Sequence, residues 1–452
     1  MADEHGNQAN SHDKRQSYWC LVLMASLSLF NFGYNTSSIG GALLYIGSSD
    51  DSESCWGQSV CLHTSFQKGC VVSSCLLGAV FGALIAGYLA ELKGPRTVLL
   101  CNNVSYILGP LSMALAPNVW ILICARAFTG VGVGVSSALV TVYVSEIVPA
   151  SRRGEYGAIT AMMTTVGILV AFVASCVLAD SWRVLLGVSA VPAIVQSVLG
   201  PFVMPESPRW LQKQIRHEQE LQVSLLKVDA GFLVKAEPER TGWAALWDAL
   251  RSKQTAAPLI VGVGLQIFQQ ICGINVTVYY SPQVFTMLQC SKELSDILSA
   301  IITSLSILST FMIARIVDVI GRRRAGFIGI SIMSGSLVGL GAAFLIPQPL
   351  VSGWIAALAI LSYRVAFGMS LGPLPYIVTA EIFSDSYRAA GASLCWACNW
   401  TSNFIVSLTF LPLVNLISAS GVFLLYTGAC VTSLWFLYSF VPETKGQELA
   451  KG

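Results

Sequence analysis

The sequence predicts an all-α membrane protein of twelve transmembrane helices in two six-helix bundles, with a short helical segment between them. Three observations predict it. Only 11% of the 452 residues are charged against 54% hydrophobic, with a mean hydropathy of +0.66. Soluble proteins carry about 25% charged residues, so this chain has too few to coat a water-facing surface. Twelve apolar stretches each approach or exceed the ~20 residues needed to cross a hydrocarbon core, and charged motifs recur between the two halves of the chain. A soluble enzyme, a secreted scaffold and a disordered chain are excluded. The net charge of +2, without a concentrated basic run, gives no basis for a nucleic-acid partner.

The stretches fall at about 18–46, 66–90, 97–116, 119–147, 156–179 and 183–204, then 257–285, 294–318, 325–346, 352–383, 390–414 and 421–440. They divide the chain into a tail (1–17), a first bundle (18–204), a polar linker (205–256), a second bundle (257–440) and a second tail (441–452). The opening residues are polar, so the first stretch reads as an anchor and not as a cleaved signal. Basic residues favour cytoplasmic loops. Lys93, Arg96, Arg152, Arg153, Arg322, Arg323, Arg324 and Arg388 fall on one side, while the facing loops hold chiefly Lys68, Arg183 and Lys292. This bias puts both termini in the cytoplasm, with the plasma membrane as the expected location. In the linker, Glu218, Glu220, Leu221, Leu225, Leu226 and Trp243 pattern as short amphipathic helices, a brace between the halves or a regulatory partner site.

Most of the thirteen cysteines lie in apolar runs, among them Cys70, Cys75, Cys176, Cys272 and Cys430, and read as small hydrophobes. Cys55 and Cys61 share a polar loop and could bridge. Cys395 and Cys398 form a C-x-x-C inside an apolar stretch with no second pair, so no metal site is read there and no cofactor is implied. No Ser/His, paired-Asp or H-E-x-x-H constellation points to an enzyme.

The halves repeat each other. Glu91-x-x-Gly94-Pro95-Arg96 matches Asp318-x-x-Gly321-Arg322-Arg323, and Glu146 with Arg153 matches Glu381 with Arg388. PESPRWL (Pro205 to Leu211) matches PETKG (Pro442 to Gly446), at nearly the same spacing, which argues for duplication. Each carboxylate falls at a cytoplasmic helix end within reach of arginines on neighbouring loops. Glu91, Arg96, Glu146, Arg153, Asp318, Arg322, Arg323, Glu381 and Arg388 are therefore read as a gate that pairs when this side closes. Solvated loop charges are the alternative.

These motifs are joined by Gln269-Gln270-x-x-Gly273-x-Asn275-x-x-x-Tyr279-Tyr280 and by Gly372-Pro373-x-Pro375-Tyr376 followed by Glu381-Ile-Phe. Together they resemble the sugar porter family of the major facilitator superfamily, across essentially all twelve stretches. The resemblance implies a site between two bundles near the midplane, and alternating access by rocking. It implies a small sugar or polyol as substrate and the lipid bilayer as surroundings.

A sugar is a ring of hydroxyls, each a donor and an acceptor, so its site needs amides and an aromatic face. Gln269, Gln270 and Asn275 supply the amides, and they converge only if the helix is broken, which Gly273 permits. Helix–helix hydrogen bonds are the competing use. In similar sugar porters these positions contact sugar. Tyr376, where the family commonly has Trp, follows prolines that interrupt the tenth stretch. Asn399 and Trp400 resemble the family's polar–aromatic cavity pair, with packing the alternative for Trp400; Phe367 is a further candidate. Three positions depart from the family: Ala161 and Ser306 replace the Gln and Asn of hexose porters, and Gly368 replaces the Glu of animal glucose carriers. The shortened contacts leave room for another sugar or a polyol.

A proton symporter needs a carboxylate or His that titrates inside the membrane. All 24 Asp and Glu lie in tails, loops or at stretch ends, and His5, His12, His63 and His217 lie outside the stretches. Proton-coupled relatives carry Asp where this chain has Asn35, and Arg126 is the residue that would pair with it. The expected activity is facilitative uniport of a hexose such as glucose. Polyol or myo-inositol transport, proton coupling and a sugar-sensing transceptor are the alternatives. Arg364 falls near mid-depth, where an Arg costs about 2.5–3.5 kcal/mol on insertion scales. It is expected to bond carbonyls freed by the Pro373 break or to face water, an anion contact being the sharper reading.

Overall fold

The structure, a computed structural model, describes residues 2–48, 60–149, 152–178, 181–229, 247, 251, 253–320, 322–383 and 388–441. Cys55, Trp243 and the Pro442–Gly446 motif lie outside the described residues, as do the side chains of Glu220, Leu221, Leu225, Leu226, Asp318, Arg322, Glu381 and Arg388.

Hydrocarbon offers the backbone no hydrogen-bond partner, so a lipid-crossing segment must satisfy itself as a helix. The apolar stretches of the first half fall on α1 (Ala2–Tyr45), α2 (Ser65–Lys93), α3 (Pro95–Ala114), α4 (Val119–Ile147), α5 (Arg153–Val177) and the pair α6 (Trp182–Gly187) and α7 (Ala190–Val203). A polar helix, α8 (Pro208–Asp229), follows. The second half holds α9 (Lys253–Ile271), α10 (Ile274–Tyr279), α11 (Ser281–Met287), α12 (Lys292–Ile320), α13 (Arg322–Ala343), α14 (Pro349–Met369), α15 (Leu374–Ile382) and α16 (Arg388–Phe440). Among the described residues, nine helical segments are long and apolar enough to cross a bilayer. One of them takes in both final stretches, although Ser418 (φ 68°) breaks the helix between them.

Local signals set the helix ends. The Thr64 and Asn118 side chains accept the amides of Gln67 and Ile121, capping α2 and α4. Proline occupies the first turn of α3 and α14, where its missing N–H costs nothing. Gly78 and Gly130 let α2 and α4 touch: a Cβ at either would come within 1.9 Å of a backbone carbonyl on the other helix. In the first half α1 packs on α5 and α3 on α4; in the second α13 packs on α14 and α16, and α9 on α16.

The halves also meet each other, α2 on α16, α5 on α12, and α1 on α10 and α11. At the end opposite Lys93 and Arg96, Gln283 Nε2 donates to Gly40 O (2.6 Å) and Asn415 Nδ2 to Ser65 Oγ (2.8 Å). Asp296 adds a third tie there, accepting from Ser175 Oγ at 2.8 Å and Tyr45 OH at 3.5 Å. Asp296 belongs to a stretch end, as the sequence suggests, yet its carboxylate is fully buried by the opposite half. Near this end a two-residue parallel pair joins Gly47 to Cys61, and Cys61 is held in a disulfide.

Candidate functional site

The seventh stretch is broken where the sequence has Gly273. Its φ of +89° is left-handed, and an added Cβ would meet the Tyr426 ring at 2.7 Å, so glycine is required there. The break turns Asn275 back towards α9, where its Nδ2 donates to Gln270 Oε1 at 2.5 Å. Gln270 Nε2 donates to Asn399 Oδ1 of α16 (3.0 Å) and to Gln269 Oε1 (3.3 Å). Asn399 Nδ2 in turn reaches Gln269 Oε1 (2.6 Å) and Gln266 Oε1 (2.7 Å). The Gln269 amide is aimed by a second break. Its Nε2 donates to the carbonyls of Leu371 (2.8 Å) and Gly372 (3.0 Å), freed between the end of α14 and the prolines of α15. Gln269, Gln270, Asn275 and Asn399 thus form one cluster, with Tyr376 OH at 3.4 Å from Gln269 Oε1.

Aromatic rings border the cluster. Tyr376 stacks on Trp396, with centroids 5.1 Å apart and planes 29° apart. Trp400 meets Phe32 of the first half edge-on at 5.7 Å, and its buried Nε1 has no hydrogen-bond partner. Phe367 is partly buried against the main hydrophobic core, and a Cβ at neighbouring Gly368 would meet nothing within 4 Å. Ser306 donates to Ile302 O of its own helix at 2.7 Å, and Ala161 is exposed on α5. Two members escaped the sequence reading, Gln266 and Trp396. The signal was present: Gln266 lies one turn before Gln269 and Trp396 one turn before Trp400, on shared helix faces.

Asn35 is buried, donating to Asn31 O (2.9 Å) and accepting from Ser189 Oγ (3.0 Å). Arg126, also buried, donates through Nε to Val71 O (2.7 Å) and through Nη1 to Asn35 O (3.5 Å). Arg364 does not bond a carbonyl freed by the Pro373 break. It donates to Thr277 O on α10 and to Thr303 Oγ1 on α12 (2.9 Å), because α14 lies against the broken seventh stretch. Neither guanidinium takes part in an ion pair between described residues.

At the basic end, the contacts found for gate charges among the described residues run to residues outside that set. Glu91 pairs with Lys213 at 3.3 Å, both largely exposed, and Arg96 Nη2 donates to Pro201 O at 2.7 Å. Glu146 accepts from Ser207 Oγ (2.6 Å), with Arg209 at 4.0 Å, while Arg153 is exposed. Arg323 Nη2 donates to Tyr438 O at 2.8 Å. The organising residue is one the sequence reading passed over, Glu206. Its carboxylate accepts the Arg96 amide (3.0 Å) and Thr97 Oγ1 (3.2 Å) at the N-terminus of α3, where the helix dipole favours an anion. PESPRWL is thus a knot that ties the α2–α3 turn to the end of α4. Its Pro-Glu beside a Gly-Pro helix start was the available signal.

Among the described residues, no group of three or more His, Cys, Asp or Glu could hold a metal. The family model described as "Sugar (and other) transporter" matches residues 21–451. A D-xylose transporter of Levilactobacillus brevis is 32% identical over 433 residues, covering 92% of this chain and 91% of its own. A galactose-proton symporter of Escherichia coli is 31% identical over 438 residues, covering 94% and 91%. The E. coli xylose transporter, solved in a partially occluded inward-open conformation, is similar with a TM-score of 0.76 at 26% identity, over 96% of this chain and 100% of that one. The chain therefore belongs to the sugar (and other) transporter family, the sugar porter branch of the major facilitator superfamily, as a multi-pass membrane protein and not an enzyme.

Proposed function

We propose that this protein is a facilitative transporter that moves a hexose such as glucose down its gradient by alternating access. The observation that carries the reading is the cluster of Gln269, Gln270, Asn275 and Asn399, whose amides bond chiefly to one another. Hydroxyls are donors and acceptors of similar strength, so a sugar can replace these bonds one for one. The unpartnered Trp400 N–H offers a further donor, and the Tyr376–Trp396 stack offers a ring face. The similarity to transporters of D-xylose and galactose supports a monosaccharide. A polyol is the nearest variant, favoured by the open space at Gly368.

In this reading residues 18–204 and 257–440 form two six-helix bundles joined by the linker 205–256. Both termini face the cytoplasm, in the plasma membrane. The end tied by Gln283, Asp296 and Asn415 is then the outer one, and the closed outer seal corresponds to an inward-facing state. The charges at the basic end form the inner gate, closing on it when the outer end opens. Neutral Asn35 beside an Arg126 held by carbonyls supports passive transport, since no carboxylate there can load a proton. Proton coupling is the second reading, favoured by the buried Asp296 and by the similarity to a galactose-proton symporter.

Uptake of labelled D-glucose into proteoliposomes tests this. The proposal expects saturable uptake and counterflow, competed by other hexoses and unchanged in initial rate by a protonophore. Loss of uptake on adding protonophore at fixed glucose gradient would overturn uniport. Binding without exchange would favour the sensing alternative.

A further inference from the structure

Tyr363 and Arg364 are consecutive residues of α14, and both donate to the backbone of the broken seventh stretch. Tyr363 OH bonds Cys272 O at 2.8 Å, on one side of Gly273, and Arg364 bonds Thr277 O on the other. Arg364 Nη1 also holds Thr303 Oγ1 at 2.9 Å, which lies on α12. Both side chains are buried. The acceptors are carbonyls that short helices leave open: α9 ends at Ile271, and α10 spans six residues. A phenol satisfies one such carbonyl. A guanidinium, with five donors in a planar fork, takes acceptors on two helices together, which a neutral side chain of that reach does not do.

The gripped segment has two tasks. Asn275 joins the amide cluster, and α11 continues to Gln283, which seals against Gly40 of the first half. Thr277 is two residues beyond Asn275, about 200° around a helix, so the grip comes from behind the side chain that meets Gln270. We propose that Arg364, assisted by Tyr363, is a positioning residue that holds α10 against α14 and α12, keeping Asn275 in the cluster and α11 on the seal. The affinity part of this rests on the sugar site proposed above; the anchoring part does not.

The test uses the full-length protein reconstituted in nanodiscs. Arg364→Met keeps the length without the donors, Arg364→Lys keeps a cationic donor, and Tyr363→Phe removes only the second tie. Hydrogen–deuterium exchange reads the anchor without any ligand. Arg364→Met is expected to speed exchange over residues 274–287 about tenfold, the scale of a hydrogen bond from a charged donor, and Arg364→Lys to restore part of it. D-glucose affinity should fall about tenfold in Arg364→Met and no further in Arg364→Met/Asn275→Ala than in Asn275→Ala alone, because both act through one contact. Unchanged exchange at 274–287, faster exchange spread evenly over all helices, or losses that multiply in the double variant would overturn the proposal. If Arg364→Met does not fold, Tyr363→Phe must still speed exchange around residues 272–276, and its failure to do so overturns the proposal equally. Wild-type protein that binds no glucose would count against the sugar reading, while the exchange data would still judge the anchor.

Discussion

The two halves of the chain differ in where most of their buried amides bond. In the first half the amide hydrogens end mainly on backbone carbonyls and neighbouring hydroxyls: Asn35 on Asn31 O, Asn102 on Gly132 O and Ser136 Oγ, Gln196 on Met24 O. In the second half Gln269 and Gln283 also donate to carbonyls, but Gln270, Asn275 and Asn399 bond largely to other amides. A bond to a neighbouring helix's carbonyl fixes helix spacing, and releasing it leaves a buried acceptor bare. A bond between two amides can be exchanged for a hydroxyl at little net cost. The helices follow the same division. In the first half only the sixth stretch divides, into α6 and α7, whereas α9–α10 and α14–α15 are interrupted beside the cluster. One half is built as scaffold and the other as site, although both carry the same repeated motifs.

The largest expected effect comes from the site side. Gln270→Ala removes the amide shared by Asn275 and Asn399, and should lower glucose uptake on the order of 100-fold or more, since a site built for hydroxyls discriminates strongly. Transport assays at equal protein amount check it. On the scaffold side, Gln196→Leu strands the Met24 carbonyl and the Ser28 hydroxyl that donates to Gln196, and should cost about 1–3 kcal/mol of stability while leaving KM within about twofold. Thermal unfolding beside uptake kinetics separates the two. An intermediate effect is expected from Asn35→Asp, which places a titratable group beside Arg126. Uptake should become pH-dependent and protonophore-sensitive, and a flat pH profile would break the link between Asn35 and passive transport. Tyr376→Phe loses only a 3.4 Å hydrogen bond and keeps the stack on Trp396, so a rise in KM of about two- to threefold is expected. Glu91→Gln should be smallest, because its pair with Lys213 is solvated.

Much of this was legible in the sequence, for physical reasons that also explain what was not. Hydropathy and span length are properties of each stretch alone, so each stretch is found helical, although the sixth, seventh and tenth are divided. The Gly273 break was legible because three amides in one apolar stretch cannot converge on a straight helix. Long-range choices were hidden. The repeats match Glu91 and Glu146 with arginines, but PESPRWL supplies Ser207 and Arg209 to Glu146, and Lys213 further along α8 pairs with Glu91. Asp296 reads as a loop-edge acid until α5 of the other half covers it. Arg364 was matched with the break in its own stretch, whereas the open carbonyl belongs to a neighbouring one.

Equilibrium binding of D-glucose to purified Gln270→Ala and Gln196→Leu, each beside the wild type, tests the division of labour most directly. The account predicts that Gln270→Ala abolishes measurable binding, while Gln196→Leu binds as the wild type does and melts earlier. Retained binding in Gln270→Ala, or equal loss in both variants, would contradict it.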